Sequence, residues 1–333
     1  MPAPAADPRL PVTLITGFLG AGKSTLLNAL LARPGFAGSA VLVNEFGDIG
    51  IDSALIRAVD GNVVTLSTGC VCCALRGELI DALKDLHFKR VRGRIAEFGR
   101  LVVETSGLAD PAPILATLLR EPVLAAVYRI DGIVAVIDGE HGAAHLDERN
   151  EARVQAAVAD RLLISKTDRI DAATEEALAA RLRALNPLAE IIPMRWGDAS
   201  AEALCGGFDP ARAAAFAAAE EHHHDHHHGH DHRDGIAATV LPLAPGWPRA
   251  ALESRIRLFL ALNGGRVLRL KGIARCADGG LWALHGVRHV AYPAAPLPAC
   301  PPETENRVVV IAEEPPDAAD LLTAPPGPDD TRD

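Results

Sequence analysis

The sequence predicts an α/β protein: a doubly wound, mostly parallel sheet domain followed by a smaller α+β domain. Two observations carry this. From Val12 to about Met194, short apolar, β-branched runs alternate with segments of helical spacing, the pattern of a parallel sheet covered on both faces. The alternation then stops at a stretch rich in Ala, Gly, charge and His, and a second, shorter set of strand runs follows it.

The strand runs of the first domain are VTLIT (12–16), AVLVN (40–44), NVVTLS (62–67), LVVET (101–105), GIVAVID (132–138), RLLIS (161–165) and EIIPM (190–194). Between them, Leu26, Leu27, Leu30 and Leu31 recur at helical spacing, as do Leu75, Leu79, Leu83 and Leu86. Asp110 followed by Pro111 has the form of an N-cap and first helical position. In the second domain a strand is expected near ATVLPL, an amphipathic helix over about 249–262, and further strands at RVLRLKGI, LWALHGV and RVVVIA (307–312). The predicted organisation is a disordered start (1–10), the sheet domain (11–196), a low-complexity linker (197–236), the small domain (237–313) and a disordered tail (314–333) rich in Pro, Asp and Ala.

A chain of 333 residues has room for two domains. Its net charge of −10 argues against a general nucleic-acid binder, which needs a basic face. The opening MPAPAADPRL lacks a charged start followed by an apolar run, and no apolar stretch reaches the length of a membrane span. The cytoplasm is therefore the expected location, with no membrane partner. Thiols stay reduced there, so clustered cysteines signal metal or catalysis more often than disulfides.

The strongest motif is TGFLGAGKST. Gly17, four residues, then Gly22-Lys23-Ser24 fits the phosphate-binding loop G-x-x-x-x-G-K-[ST], between a strand and a helix as that loop requires. Gly17, Gly20, Ala21 and Gly22 let backbone N–H groups close around a β-phosphate. Lys23 reaches the β and γ oxygens, Ser24 offers its hydroxyl to Mg²⁺, and Thr25 completes the nucleotide-binding run. Glu104 ends the strand of LVVETSGLADP, the place for an acid that holds Mg²⁺ through water, so Lys23 and Glu104 are the candidate catalytic pair. Gly107 just beyond it allows a loop to sense a γ-phosphate. Glu45 and Asp48 follow another strand, in VNEFGDIGID, where carboxylates can ligate metal or respond to nucleotide.

SKTD (165–168) resembles the guanine-reading motif N-K-x-D. A carboxylate at Asp168 accepts from guanine N1–H and the exocyclic N2 amine, each bond to the charged group being worth roughly 1.5–3 kcal/mol, and it repels the N1 acceptor of adenine. Lys166 packs its stem along the base plane. Ser165 stands where Asn is usual, which is expected to weaken one hydrogen bond that fixes the loop.

Three of the 6 cysteines, Cys70, Cys72 and Cys73, fall within GCVCC. A Cys72–Cys73 disulfide is vicinal and strained, and Cys70–Cys72 closes too small a ring. Cys70 and Cys73 have the C-x-x-C spacing of a redox pair, which keeps that reading open. The start of a helical pattern just beyond favours thiolates, which are soft ligands for Zn²⁺, Cu⁺ or, less typically, Co²⁺. Two or three sulfurs with Glu45 or water complete a four-coordinate site. Cys205, Cys276 and Cys300 are isolated. In a parallel sheet the loops carrying the glycine-rich motif, Glu45, Cys70, Glu104 and Ser165 all emerge at the carboxyl edge, so thiols and nucleotide phosphates are expected to be neighbours.

Together GFLGAGKST, NEFGDIGID, GCVCC, ETSGLADP and SKTD resemble the CobW-type family of GTP-dependent metallochaperones, relatives of the P-loop GTPases that deliver nickel to urease and hydrogenase. The likeness covers the nucleotide domain and extends through LRLKGIARCADGGLWALHGVRH into the small domain. It implies hydrolysis of GTP with Mg²⁺ and transfer of a bound metal, Zn²⁺ in the preferred reading, from Cys70, Cys72 and Cys73 to a client metalloprotein. A homodimer is compatible with it. Co²⁺ is the other cargo, in a chaperone for cobalamin biosynthesis. A metal buffer or storage protein with nucleotide-modulated affinity is a further alternative. An ATP-dependent small-molecule kinase is opposed by Asp168 and has no need of C-x-C-C. In EHHHDHHHGHDH, His222, His223, His224, His226, His227, His228, His230 and His232 read as a metal-collecting loop, against a solvated linker with no function.

Overall fold

The computed structural model describes residues 7–33, 36, 38–46, 63–68, 74–196, 198, 204, 212, 216, 235–297, 299–300, 305–314 and 316; the side chains of 44–46, 63–68, 74–76 and 78 fall outside that description. The cysteine turn, the His run and most of both ends predicted to be disordered also lie outside it. Two compact units emerge, one built on Ala6–Leu182 with Ala189–Gly207, the other on Phe208–Asp333 with Arg183–Leu188.

The described elements of the first unit are β1 (Leu10–Thr16), α1 (Lys23–Leu31), β2 (Ser39–Phe46), β3 (Val63–Thr68), α2 (Ala74–Val91), β4 (Arg100–Glu104), α3 (Ala112–Arg120), α4 (Pro122–Val127), β5 (Tyr128–Asp138), α5 (Gly142–Glu148), α6 (Asn150–Val158), β6 (Arg161–Ser165), a 3₁₀ turn (Thr167–Arg169), α7 (Ala172–Leu185) and β7 (Glu190–Pro193). The strands form one seven-stranded sheet in the order β3-β2-β4-β1-β5-β6-β7, with every pairing parallel. All seven predicted strand runs are present. Their apolar continuity reflects burial on both faces: in β1 Leu14 and Ile15 are fully enclosed, as are Ile133 and Val136 in β5. Each such side chain contributes about 1.5–3 kcal/mol.

The helices dock through the leucines that predict them. Leu26, Leu27, Leu30 and Leu31 of α1 join a core cluster with Ile15, Val41, Val102 and Val134. Leu79, Leu83 and Leu86 of α2 are buried, and the Tyr128 hydroxyl donates to the Leu83 carbonyl at 3.1 Å. At the α3 start Pro111, not Asp110, is the N-cap and the helix is entered one residue later than the sequence suggests, while Asp110 Oδ1 accepts from the Ala112 N–H at 2.9 Å.

β1 stands between β4 and β5, so the winding direction changes beside it and a crevice opens at its carboxyl end. At the amino ends of β6 and β7 the chain is stapled. Asp160 Oδ2 accepts from Ile133 N–H at 2.9 Å, its own N–H donates to the Ile133 carbonyl and its carbonyl accepts from Glu190 N–H. Arg161 Nε donates to Glu190 Oε2 at 3.1 Å beside them.

The second unit contains β8 (Ala237–Pro242), α8 (Arg249–Asn263), β9 (Val267–Arg275), β10 (Leu281–Val287), β11 (Val290–Ala291), β12 (Ala295–Leu297) and β13 (Arg307–Ala312). Its sheet is antiparallel, in the order β11-β10-β9-β13-β8 with β12 also on β10. Leu252, Ile256, Phe259 and Leu260 of α8 pack on Val267, Leu270, Leu284 and Val308. The helix lies so close that a Cβ on Gly286 of β10 would sit 2.4 Å from Leu260 Cδ1. Among the described residues no helix is long and apolar enough to cross a membrane.

Candidate nucleotide site

The glycine-rich loop fills the crevice beyond β1, and its backbone explains its composition. Gly17, Gly20 and Gly22 all take positive φ, at 138°, 75° and 97°. At Gly17 a Cβ would lie 2.3 Å from the Val136 carbonyl oxygen of β5, so no other residue fits. Gly22 caps α1, whose first N–H groups and partial positive charge face the loop. Lys23, buried, donates from Nζ to the Gly17 carbonyl at 2.8 Å and the Phe18 carbonyl at 3.4 Å. Phe18 itself is packed by the His145 ring of α5, centroids 4.7 Å apart. Ala21 is buried under the loop, and Thr25 is exposed on the first turn of α1.

Two hard oxygen donors meet beside this loop: Ser24 Oγ donates to Glu104 Oε1 at 3.1 Å, and Glu104 is only 4% exposed at the end of β4. A hydroxyl and a carboxylate converging at a phosphate cradle are a donor set that fits Mg²⁺. The chain after Glu104 is held from two sides. Thr105 Oγ1 donates to Thr16 Oγ1 at 3.0 Å, and buried Gln155 of α6 donates from Nε2 to the carbonyls of Gly107 and Ala109, both at 3.1 Å. A Cβ on Gly107 would come within 2.8 Å of Leu19, so this loop is packed directly on the phosphate loop.

The SKTD segment joins the same site. Ser165 Oγ lies 2.6 Å from the Ala21 carbonyl and 3.1 Å from that of Ile137. Where the sequence analysis expects Ser165 to weaken one loop-fixing bond relative to Asn, a serine at the end of β6 is near enough for its short hydroxyl to bond the phosphate loop itself. Asp168 is exposed in the 3₁₀ turn, and Lys166, at φ 56°, sends Nζ to Asp138 Oδ2 at 2.6 Å.

Asp138 is the residue that sequence reasoning passed over. It closes the β5 run GIVAVID as one more strand-end acid, and only the fold shows that it faces Lys166. Burial alone would raise its carboxyl. Hydrogen bonds from Lys166 and from the N–H groups of His141 and Glu140 outweigh that and hold it below the ordinary carboxylate value. The ligand atoms of Asp138, Glu140 and His141 lie within 4.8 Å of one another. Lys166 and Arg169 pair with the two carboxylates.

Glu45 lies within β2 rather than after the strand, its backbone in register with Ser67 of β3; its side chain, and Asp48, are outside the described residues. Cys70, Cys72 and Cys73 are likewise outside, between Thr68 at the end of β3 and Ala74 at the start of α2. So is the His run. Cys276 is free and buried in the second unit, its thiol pushed up by burial, and Cys300 is free and partly exposed.

Residues 11–193 match the CobW/HypB/UreG nucleotide-binding domain, and residues 241–324 match the CobW C-terminal domain. Over 187 residues the chain is 41% identical to the zinc chaperone YjiA of Escherichia coli, an alignment covering 56% of this chain and 58% of that protein. It is 37% identical over 198 residues to the zinc-regulated GTPase metalloprotein activator 1 of Schizosaccharomyces pombe, covering 57% and 47%. The chain thus spans about half the length of these curated relatives. The crystal structure of Zn(II)-bound YjiA GTPase from E. coli superposes with a TM-score of 0.64 at 26% identity, covering 95% of this chain and 99% of that one.

Proposed function

Because the chain belongs to the CobW/HypB/UreG family of nucleotide-binding proteins, we propose that it is a GTP-hydrolysing metallochaperone. It binds a divalent metal, zinc, at Cys70, Cys72 and Cys73, with Glu45 as a further ligand, and passes it to a client metalloprotein in the cytoplasm. In this reading residues 11–196 form the nucleotide domain, 197–236 a His-rich linker and 237–313 the small domain. The observation that carries the nucleotide half is the Ser165–Ala21 hydrogen bond, since it joins the segment suited to read a guanine to the loop suited to hold its phosphates. Zinc is supported by the names of the relatives, which are zinc chaperones and a zinc-regulated activator.

The chemistry follows from the groups present. Lys23 and the backbone N–H groups of residues 20–24 stabilise negative charge on the β and γ oxygens of GTP. Ser24 and Glu104 are the residues that would hold Mg²⁺, which when bound neutralises charge on the same oxygens. Gln155 holds the loop of Gly107 against Leu19, so the segment beside the γ-phosphate starts from a defined position. Asp168 accepts from the guanine edge. The cysteine segment is linked to the sheet through β3, whose neighbour β2 pairs with β4, the strand that ends at Glu104. A loop ordered by nucleotide lowers the entropic cost of ordering the adjacent metal ligands, and linkage makes the effect reciprocal.

The test is a zinc titration of the full chain with Mg²⁺ and either GDP or a non-hydrolysable GTP analogue. Zinc should bind about 5–150-fold more tightly with the analogue, and changing Cys72 and Cys73 to Ser should remove that difference while nucleotide affinity stays. Equal zinc affinities with the two nucleotides would replace the chaperone reading by that of a metal buffer. Competition between Zn²⁺ and Co²⁺ in the same assay decides the cargo.

A further inference from the structure

Asp168 can read a base edge only if its loop is held at the right height and angle, and the turn after β5 is built to do this. Lys166 adopts φ 56°, a left-handed conformation that a non-glycine residue keeps only where its surroundings impose it. The surroundings here are specific. The Gly139 N–H donates to the Ser165 carbonyl at 2.9 Å. Arg169 donates to Glu140 Oε2 at 3.2 Å. Between these, Lys166 Nζ sits 2.6 Å from Asp138 Oδ2. The carboxylate is itself aimed by its own turn, because Oδ1 accepts from the N–H groups of Glu140 at 2.9 Å and His141 at 3.2 Å.

Asp138 is 3% exposed on its side chain and Lys166 27%, so the partly exposed lysine reaches a buried carboxylate. A buried carboxylate is costly unless donors surround it, and three donors surround this one.

We propose that Asp138 is a positioning residue for guanine recognition: by anchoring the Lys166 ammonium it lays the lysine stem out as the flat surface on which the base rests, while Asp168 reads the base edge. The inference rests on the reading of Lys166 and Asp168 as the guanine-binding pair. It separates two jobs. Asp168 distinguishes bases by their N1 and N2 groups. Asp138 acts through the stem and is blind to those groups.

The experiment is competition binding of GDP, IDP and ADP to the full-length protein, IDP lacking the N2 amine. Asp138→Asn keeps an oxygen for the two backbone N–H groups but turns an amide NH₂ toward Lys166, which a cation does not accept. GDP and IDP should both weaken about tenfold, as expected for losing one charge-assisted bond, with their ratio unchanged. Lys166→Met should weaken them similarly, and adding Asp138→Asn to it should cost less than about twofold more, the signature of two residues acting as one unit. Lys166→Arg, which can still donate to Asp138, should stay within about threefold of wild type. Additive losses, a changed GDP to IDP ratio, or unaltered affinity in Asp138→Asn would overturn the proposal. If circular dichroism shows that Asp138→Asn does not fold, the Lys166 variants decide alone, since an arginine no better than methionine overturns it. A wild type that holds ADP as tightly as GDP would instead overturn the guanine reading of Asp168, and this proposal with it.

Discussion

Ser165 Oγ has the Ala21 carbonyl at 2.6 Å and the Ile137 carbonyl at 3.1 Å, and it carries one proton. The shorter contact to the phosphate loop is the one whose loss should matter for ligand binding. Ser165→Ala leaves the buried Ala21 carbonyl without this donor, a loss of about 1–3 kcal/mol. Guanine nucleotide affinity should fall by about tenfold or more in a fluorescent-nucleotide titration. An affinity within twofold of wild type would show that the two loops hold each other without this bond. The same residue marks the limit of what a sequence displays. The glycines of 17–22, Lys23 and Ser24 are legible because a phosphate loop dictates type and spacing within a single local turn. Which carbonyl a serine hydroxyl will meet, or which ammonium Asp138 will face, depends on residues 144 and 28 positions apart in the chain being brought side by side. Spacing along the chain carries no trace of that.

At the scale of elements, α5 is a short helix with an unusual duty: its His145 ring packs on Phe18 of the phosphate loop. Burial, the largest influence, lowers the His145 pKa below its ordinary value of 6.5, and the Asp138 charge only partly opposes this. The native state therefore favours the neutral ring. Its contribution to stability is fully present above the unfolded value and is lost as pH falls from there through the folded value. His145→Phe keeps a ring on Phe18 and removes the titration. Between about pH 7.5 and about pH 5.5, the wild-type melting temperature should fall by about 1–2 °C more than that of the variant. Equal falls in thermal scans would show that His145 does not sense the pH. Strands and the long helices were readable for a different reason than α5. Continuous apolar runs such as VTLIT and AVLVN can be satisfied only inside a two-sided parallel sheet, whereas the seven residues of α5 carry too few apolar positions to display a period.

For the whole molecule, the His run and the cysteine turn are two candidate metal ligands of different character in one chain. On the proposed reading the imidazoles belong to a low-complexity stretch, where fixing a residue on binding costs about 1–2 kcal/mol. Deleting 221–232 should therefore lower the number of zinc ions bound at saturation and leave the tightest affinity within about threefold. Loss of the tightest site in equilibrium dialysis would assign the cargo to the histidines. The antiparallel second unit was legible as strands and one amphipathic helix, but its strand order was not, because antiparallel partners such as β13 between β8 and β9 are chosen by packing on α8 and not by order in the chain. In the nucleotide unit, Asp160 and the Arg161–Glu190 pair pin the amino ends of β6 and β7 to each other and to β5. These bonds lie at the sheet edge opposite the phosphate loop. On the proposed reading, coupling between nucleotide and metal therefore runs sideways through the loops of the opposite rim, with the pinned strand ends as the fixed ruler against which their displacement is gauged.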